Sequence, residues 1–172
     1  MCQSVFVVCY APRRPFQSSL TFAQKWEKVL QDIPLQLIAS PSALALRGWK
    51  GVFREGQPQI VMAVSEIPLH RWVRLVFHKQ SDNPPESLPA FRRPLQAAYR
   101  AFQNLQSQVS TGNMLLLMPP RLTQLFLCSL MGYPIKAYRL FTHLPGQLSW
   151  LVRLPQGSFY LRRLAAYADT AF

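Results

Sequence analysis

From Ser87 to Ala168 the chain contains no aspartate or glutamate, while Arg92, Arg93, Arg100, Arg121, Lys136, Arg139, Arg153, Arg162 and Arg163 all fall within that stretch. An ionised guanidinium or ammonium is costly to bury without a counter-charge. Whatever fold the second half adopts must therefore leave these side chains at a surface and build its core from the residues between them. A surface of one sign repels itself until an anion neutralises it, and over a large area that anion is most often a nucleic-acid backbone.

The imbalance comes from missing acids rather than dense bases. The 172 residues hold 19 Lys+Arg against 7 Asp+Glu, a formal net charge of +12 with histidine neutral. Yet only 15% of the residues are charged and 49% are hydrophobic, against roughly 25% charged in ordinary soluble domains. Arginine dominates, and its planar fork suits bidentate phosphate contact and stacking on bases. This footprint predicts a nucleic-acid partner.

Length predicts one domain spanning 1–172, and no repeat of 20 to 50 residues is present. Cys2, Cys9 and Cys128 form no CxxC pair, and an odd count leaves one thiol unpaired, which favours the cytoplasm or another reducing compartment. The apolar run Ser4–Ala11 lacks a preceding positive region and is followed by Pro12-Arg13-Arg14-Pro15, so it reads as a buried strand rather than a signal peptide. Pro119, Pro120 and Arg121 interrupt Met114–Tyr133, short of the roughly 20 apolar residues that span a bilayer. An integral membrane protein is not expected.

Phe22, Trp26, Val29, Leu30 and Ile33 recur at helical spacing and predict a helix from Ser18 or Ser19 to Asp32. Leu35–Ala39, Gln59–Ser65 and Arg71–His78 read as strands, and Asp82-Asn83-Pro84-Pro85 marks a mobile loop over 81–89. Phe91, Leu95, Ala98, Phe102 and Leu105 predict an amphipathic basic helix. Met114–Met118 reads as a buried strand, and Pro119-Pro120 opens a helix that Gly132 ends. Ile135–His143, Leu148–Leu154 and Phe159–Leu164, separated by Pro145-Gly146 and Pro155-Gln156-Gly157, predict a three-strand meander. The expected architecture is α+β: a mainly antiparallel sheet, about three helices and that C-terminal meander.

No glycine-rich phosphate loop, GxSxG, HExxH, zinc-ligand spacing or RNP box occurs. The carboxylates are scattered, whereas a two-metal nuclease needs them clustered; no metal or cofactor is expected. His70, His78 and His143 are the only histidines and the only candidates for general acid or base work. The sequence therefore predicts a non-catalytic, nucleic-acid-binding subunit of a larger protein complex, contacting RNA or single-stranded DNA through Arg74, Lys79, Arg92, Arg93, Arg100, Lys136, Arg139, Arg153, Arg162 and Arg163. The alternatives are a metal-independent ribonuclease using one of the histidines, and an assembly factor docking on an acidic protein or an anionic membrane surface.

Overall fold

The computed structural model describes residues 4–11, 13–50, 60–63, 100, 102–107, 109 and 112–168. Strands β1 (Ser4–Cys9), β2 (Leu35–Ser40), β3 (Ile60–Ala63), β4 (Asn113–Met118), β5 (Leu148–Arg153) and β6 (Phe159–Ala166) form one sheet in the order β3-β2-β4-β1-β5-β6. Its first four strands in the chain run parallel, and β5 and β6 are antiparallel. Helices α1 (Pro15–Leu30), α2 (Ala43–Lys50) and α3 (Pro120–Leu130) and the 3-10 helix η1 (Ile135–Phe141) cover it, and 102–107 is also helical.

The parallel core follows from continuous apolar runs. Val5–Cys9 and Met114–Met118 are buried at every position, as strands must be when both faces are covered. Val5, Val7, Met114, Leu116 and Met118 join Phe126 and Leu125 of α3 on one face. Phe6, Val8, Leu115 and Leu117 join Ala23, Trp26 and Leu30 of α1 and Leu46 of α2 on the other. Phe102 closes the first face, its ring 5.0 Å from that of Phe126 in an edge-on contact.

Helix ends obey local chemistry. Ser42 caps α2, its Oγ accepting from Ala45 N–H at 3.2 Å. At the end of α3, Tyr133 N–H returns to Cys128 O and Gly132 N–H to Ser129 O, with Gly132 at φ 75. This double closure needs a left-handed residue, and glycine supplies it without strain. Gly48 lets α2 approach α1, for a Cβ there would lie 2.7 Å from Leu20 N and 2.8 Å from Phe16 O.

The expected mainly antiparallel sheet and C-terminal meander are thus corrected. Among the described residues only β5 and β6 form an antiparallel hairpin, and Ile135–Phe141 is a 3-10 helix rather than a strand. Pro134 starts that helix, with Ala137 N–H donating to its carbonyl at 2.8 Å, and the Schellman closure of α3 just upstream leaves Pro134 as the single extended residue between the two helices. The predicted strand Arg71–His78, the 81–89 loop and the start of the basic helix lie outside the described residues. Among the described residues no helix is long and apolar enough to cross a membrane.

Candidate functional site

In an open α/β sheet, ligands settle outside the carboxyl ends of neighbouring strands whose onward connections diverge. Here β1 leads through α1 towards the β2–β3 side, and β4 leads through α3 towards the β5–β6 side. Because β1 and β4 are neighbours, that rule puts the expected crevice at Cys9–Tyr10 and Met118–Pro119. Backbone bonds fix its floor: Tyr10 N–H donates to Met118 O at 3.1 Å, Cys9 N–H to Gln147 O at 3.0 Å, and Gly146 N–H to Cys9 O at 2.8 Å.

The strand-end side chains are neutral. Cys9 Sγ donates to Thr123 Oγ1 at 3.2 Å, and that hydroxyl in turn reaches Pro119 O at 3.3 Å, tying the end of β1 to the start of α3. Burial pushes the Cys9 thiol up to about 12, with the Thr123 contact pulling modestly the other way. Tyr10 turns to the α1–α2 face, where its buried hydroxyl lacks a partner in good hydrogen-bonding geometry. Burial raises its pKa above the usual phenol range, while the Ser42 and Ser40 hydroxyls lie near enough to offset part of that rise. Neither group ionises near neutral pH, so neither serves as a nucleophile.

Positive charge comes instead from the helix starts. Arg13 and Arg14 are exposed immediately before Pro15, the first residue of α1. Exposed Arg121 sits one residue after Pro120, the first residue of α3. Neither helix has an acidic residue in its first turn or a side-chain cap. The unpaired N–H groups and the positive end of each helix dipole add to the arginine charge, an arrangement suited to an anion. Among the described residues no group of three His, Cys, Asp or Glu side chains could share a metal ion.

Of the residues singled out by sequence, His70, His78, Arg74, Lys79, Arg92 and Arg93 lie outside the described part. Arg100 is exposed, and Lys136 belongs to η1. Arg139, also on η1, reaches Tyr138 Oη through Nε at 3.5 Å. Arg153 is half-buried, whereas Arg162 and Arg163 are exposed on β6. The Arg162 guanidinium lies 4.1 Å from the Trp150 ring centroid, a cation–π contact on the α1–α2 side of the sheet. His143 is buried away from solvent between Phe141 O and Ser149 Oγ. The crevice residues Arg13, Arg14 and Arg121 were missed as site residues. Their signal was a repeated pattern, an apolar strand followed at once by proline and arginine at a helix start.

No family model and no curated protein matches the chain by sequence. Solved structures do match, over nearly the whole chain. The alpha-ribazole phosphatase of Shigella flexneri is 16% identical, with 96% of each chain covered and a TM-score of 0.65. Phosphoserine phosphatase of Entamoeba histolytica, solved with 3-phosphoglyceric acid, is 9% identical over 95% of this chain and 97% of that one, at 0.66. Phosphoglycerate mutase of Plasmodium falciparum is 13% identical over 100% of this chain and 94% of that one, at 0.55. At these identities the likeness is one of fold alone, the fold that these three enzymes share. These neighbours are enzymes of small phosphorylated compounds, which overturns the expected RNA- or single-stranded-DNA-binding subunit of a complex. The ribonuclease and docking-factor alternatives go with it.

Proposed function

We propose that this chain binds small phosphomonoesters at the carboxyl ends of β1 and β4. The observation that carries this reading is the pairing of two acid-free helix starts, with Arg13 and Arg14 at one and Arg121 at the other, across the crevice at the divergence of β1 and β4. A phosphate dianion accepts hydrogen bonds from both guanidinium and backbone N–H groups. The phosphatase fold of the neighbours supports the same class of ligand.

Covalent catalysis through a histidine needs that imidazole at the reacting phosphorus. The first histidine of the chain is His70, so the end of β1 has none, and the end of β4 reads Met118-Pro119-Pro120-Arg121. Binding is therefore the function assigned to these strand ends. A second reading, phosphomonoester hydrolysis, is favoured by the activities of the fold neighbours and would draw its histidine from His70 or His78. We further propose that 1–172 is one domain and that it works in a reducing compartment, a reading supported by the odd cysteine count and by Cys9 and Cys128 being free thiols.

Calorimetric titration with phosphoserine and inorganic phosphate, run beside a hydrolysis assay on p-nitrophenyl phosphate, tests the proposal. Saturable binding of phosphoserine, displaced by inorganic phosphate and without turnover, is expected. Turnover lost in His70→Ala or His78→Ala would establish the second reading instead, and absence of any binding would remove both.

A further inference from the structure

Large apolar side chains lie exposed at the strand ends that carry the arginines. Phe16 is 43% exposed in the first turn of α1, Leu44 50% in the first turn of α2, and Leu144 54% in the loop before β5. All three belong to the end of the sheet where β1 and β4 finish. Helices α1 and α2 start just after the carboxyl ends of β1 and β2. The Leu144 loop is held against β1, with Gly146 N–H donating to Cys9 O at 2.8 Å. Leu144 N–H donates to Gln147 Oε1 at 2.8 Å, which folds that loop back on itself.

Packing puts these three residues on one side of the expected crevice. A Cβ on Gly48 would lie 2.8 Å from Phe16 O, and Leu44 is four residues earlier on the same face of α2, one turn nearer the strand ends. The Leu144 loop packs on α1 as well: Trp26 Nε1 donates to Gly146 O at 3.0 Å, and a Cβ on Gly146 would fall 2.6 Å from Phe22 Cε1. Arg121 begins α3, which covers the opposite face of the sheet. Arg13 and Arg14 join the end of β1 to the start of α1. Charge therefore lies along the middle and the α3 side, and apolar surface along the α1–α2 side. Three strand spacings, about 14 Å, separate β2 from β5, room for a small ring or a short carbon chain. A lone exposed leucine carries no meaning, but large apolar side chains adjoining a cationic site fit an amphipathic ligand.

We infer that Phe16, Leu44 and Leu144 form an apolar wall for the alcohol part of the ligand, whose chemical class is a phosphomonoester of an apolar alcohol, aryl or alkyl. This rests on the reading of the β1–β4 crevice as a phosphomonoester site and names the other half of its ligand. The phosphate dianion meets the arginines and the helix starts, while the carbon skeleton leaves water against the wall.

Calorimetric titration of inorganic phosphate, methyl phosphate, hexyl phosphate and phenyl phosphate into the wild type, Leu44→Gln and Leu144→Ser tests this, with melting temperature as the folding control. Hexyl and phenyl phosphate should bind the wild type about tenfold or more tighter than methyl phosphate, with a negative heat-capacity change, and be displaced by inorganic phosphate. Each substitution should cut the preference for hexyl over methyl phosphate about threefold to tenfold. Both replaced side chains are half exposed, so the melting temperature should move little. With methyl phosphate bound, equal affinity for the hexyl ester, a preference untouched by both substitutions, or hexyl phosphate that inorganic phosphate fails to displace would each overturn the apolar wall while leaving the crevice reading standing. Failure of the wild type to bind any of the four would take down both.

Discussion

His143 Nε2 lies 2.5 Å from Ser149 Oγ, and both side chains are buried on the α3 face of the sheet. His143 Nδ1 is 2.8 Å from Phe141 O. A carbonyl only accepts, so Nδ1 carries the proton and Nε2 accepts from the Ser149 hydroxyl. The serine oxygen then takes Ala165 N–H at 3.0 Å. Ala165 has φ 51, in the left-handed region, at a register shift between β5 and β6. The imidazole thus fixes a serine that fixes a strained turn of backbone in the last strand.

This chain of bonds is satisfied only while the imidazole is neutral. Burial lowers the His143 pKa below its ordinary 6.5, with the Phe141 carbonyl pulling the other way. Below pH 6.5 the unfolded chain takes up a proton that the folded state still refuses, so stability is full above that pH and falls as the pH drops towards the folded-state value. Urea unfolding from about pH 8 to about pH 5 should show this loss. The slope should shrink in His143→Gln, and an unchanged slope would mean that other groups cause it.

Ser149→Ala removes the donor to Nε2 and the acceptor of Ala165 N–H in one step. Leaving buried polar groups unpaired costs about 1–3 kcal/mol, and chemical denaturation should return a loss in that range. A loss near zero would show that the Ala165 bulge holds without the serine.

Gly146 and Gly157 separate two costs of adding one methyl group. Both are left-handed, at φ 91 and 92. At Gly157 a Cβ would meet only Arg153 Nη2 at 3.8 Å, whereas at Gly146 it would fall 2.6 Å from Phe22 Cε1. Gly157→Ala should therefore show only the backbone penalty, about 1–2 kcal/mol. Gly146→Ala should cost more, because Phe22 must move and the Trp26 Nε1 bond to Gly146 O, 3.0 Å long, is strained with it. Equal losses in thermal unfolding would show that Phe22 yields freely.

The buried strands were legible because β1 and β4 are unbroken apolar runs, and α3 was legible from its prolines and Gly132. Their parallel direction was encoded in the same feature, since an unbroken run signals a strand covered on both faces. The antiparallel expectation came from the chain's last forty residues, where turn-formers recur, and it was extended to strands that they do not govern. Ile135–Phe141 misled because basic and aromatic residues interleave there between turn-formers, although Pro134 and a tightly closed helix end set a 3-10 turn. The charge was legible but its meaning was not. A missing set of carboxylates records only that an anion is tolerated, and phosphate on a small molecule satisfies that as well as a nucleic acid does. The site itself depends on which strands become neighbours, and no local pattern announces that β1 and β4 meet.

The last prediction uses a mismatch between stability and binding at the start of α1. Arg14 occupies the N-cap position and makes no side-chain capping bond. Serine there could accept from an open first-turn N–H and stabilise the helix by about 0.5–2 kcal/mol. Yet Arg14 is exposed beside the end of β1, and under the proposed function its charge would attract a phosphate dianion in a salt-dependent way. Arg14→Ser should therefore raise the melting temperature while weakening phosphoserine binding and flattening its dependence on salt. The two effects have opposite signs, so a general loss of folding cannot imitate them. Higher stability with unchanged affinity and unchanged salt dependence would show that the α1 start takes no part in holding the anion.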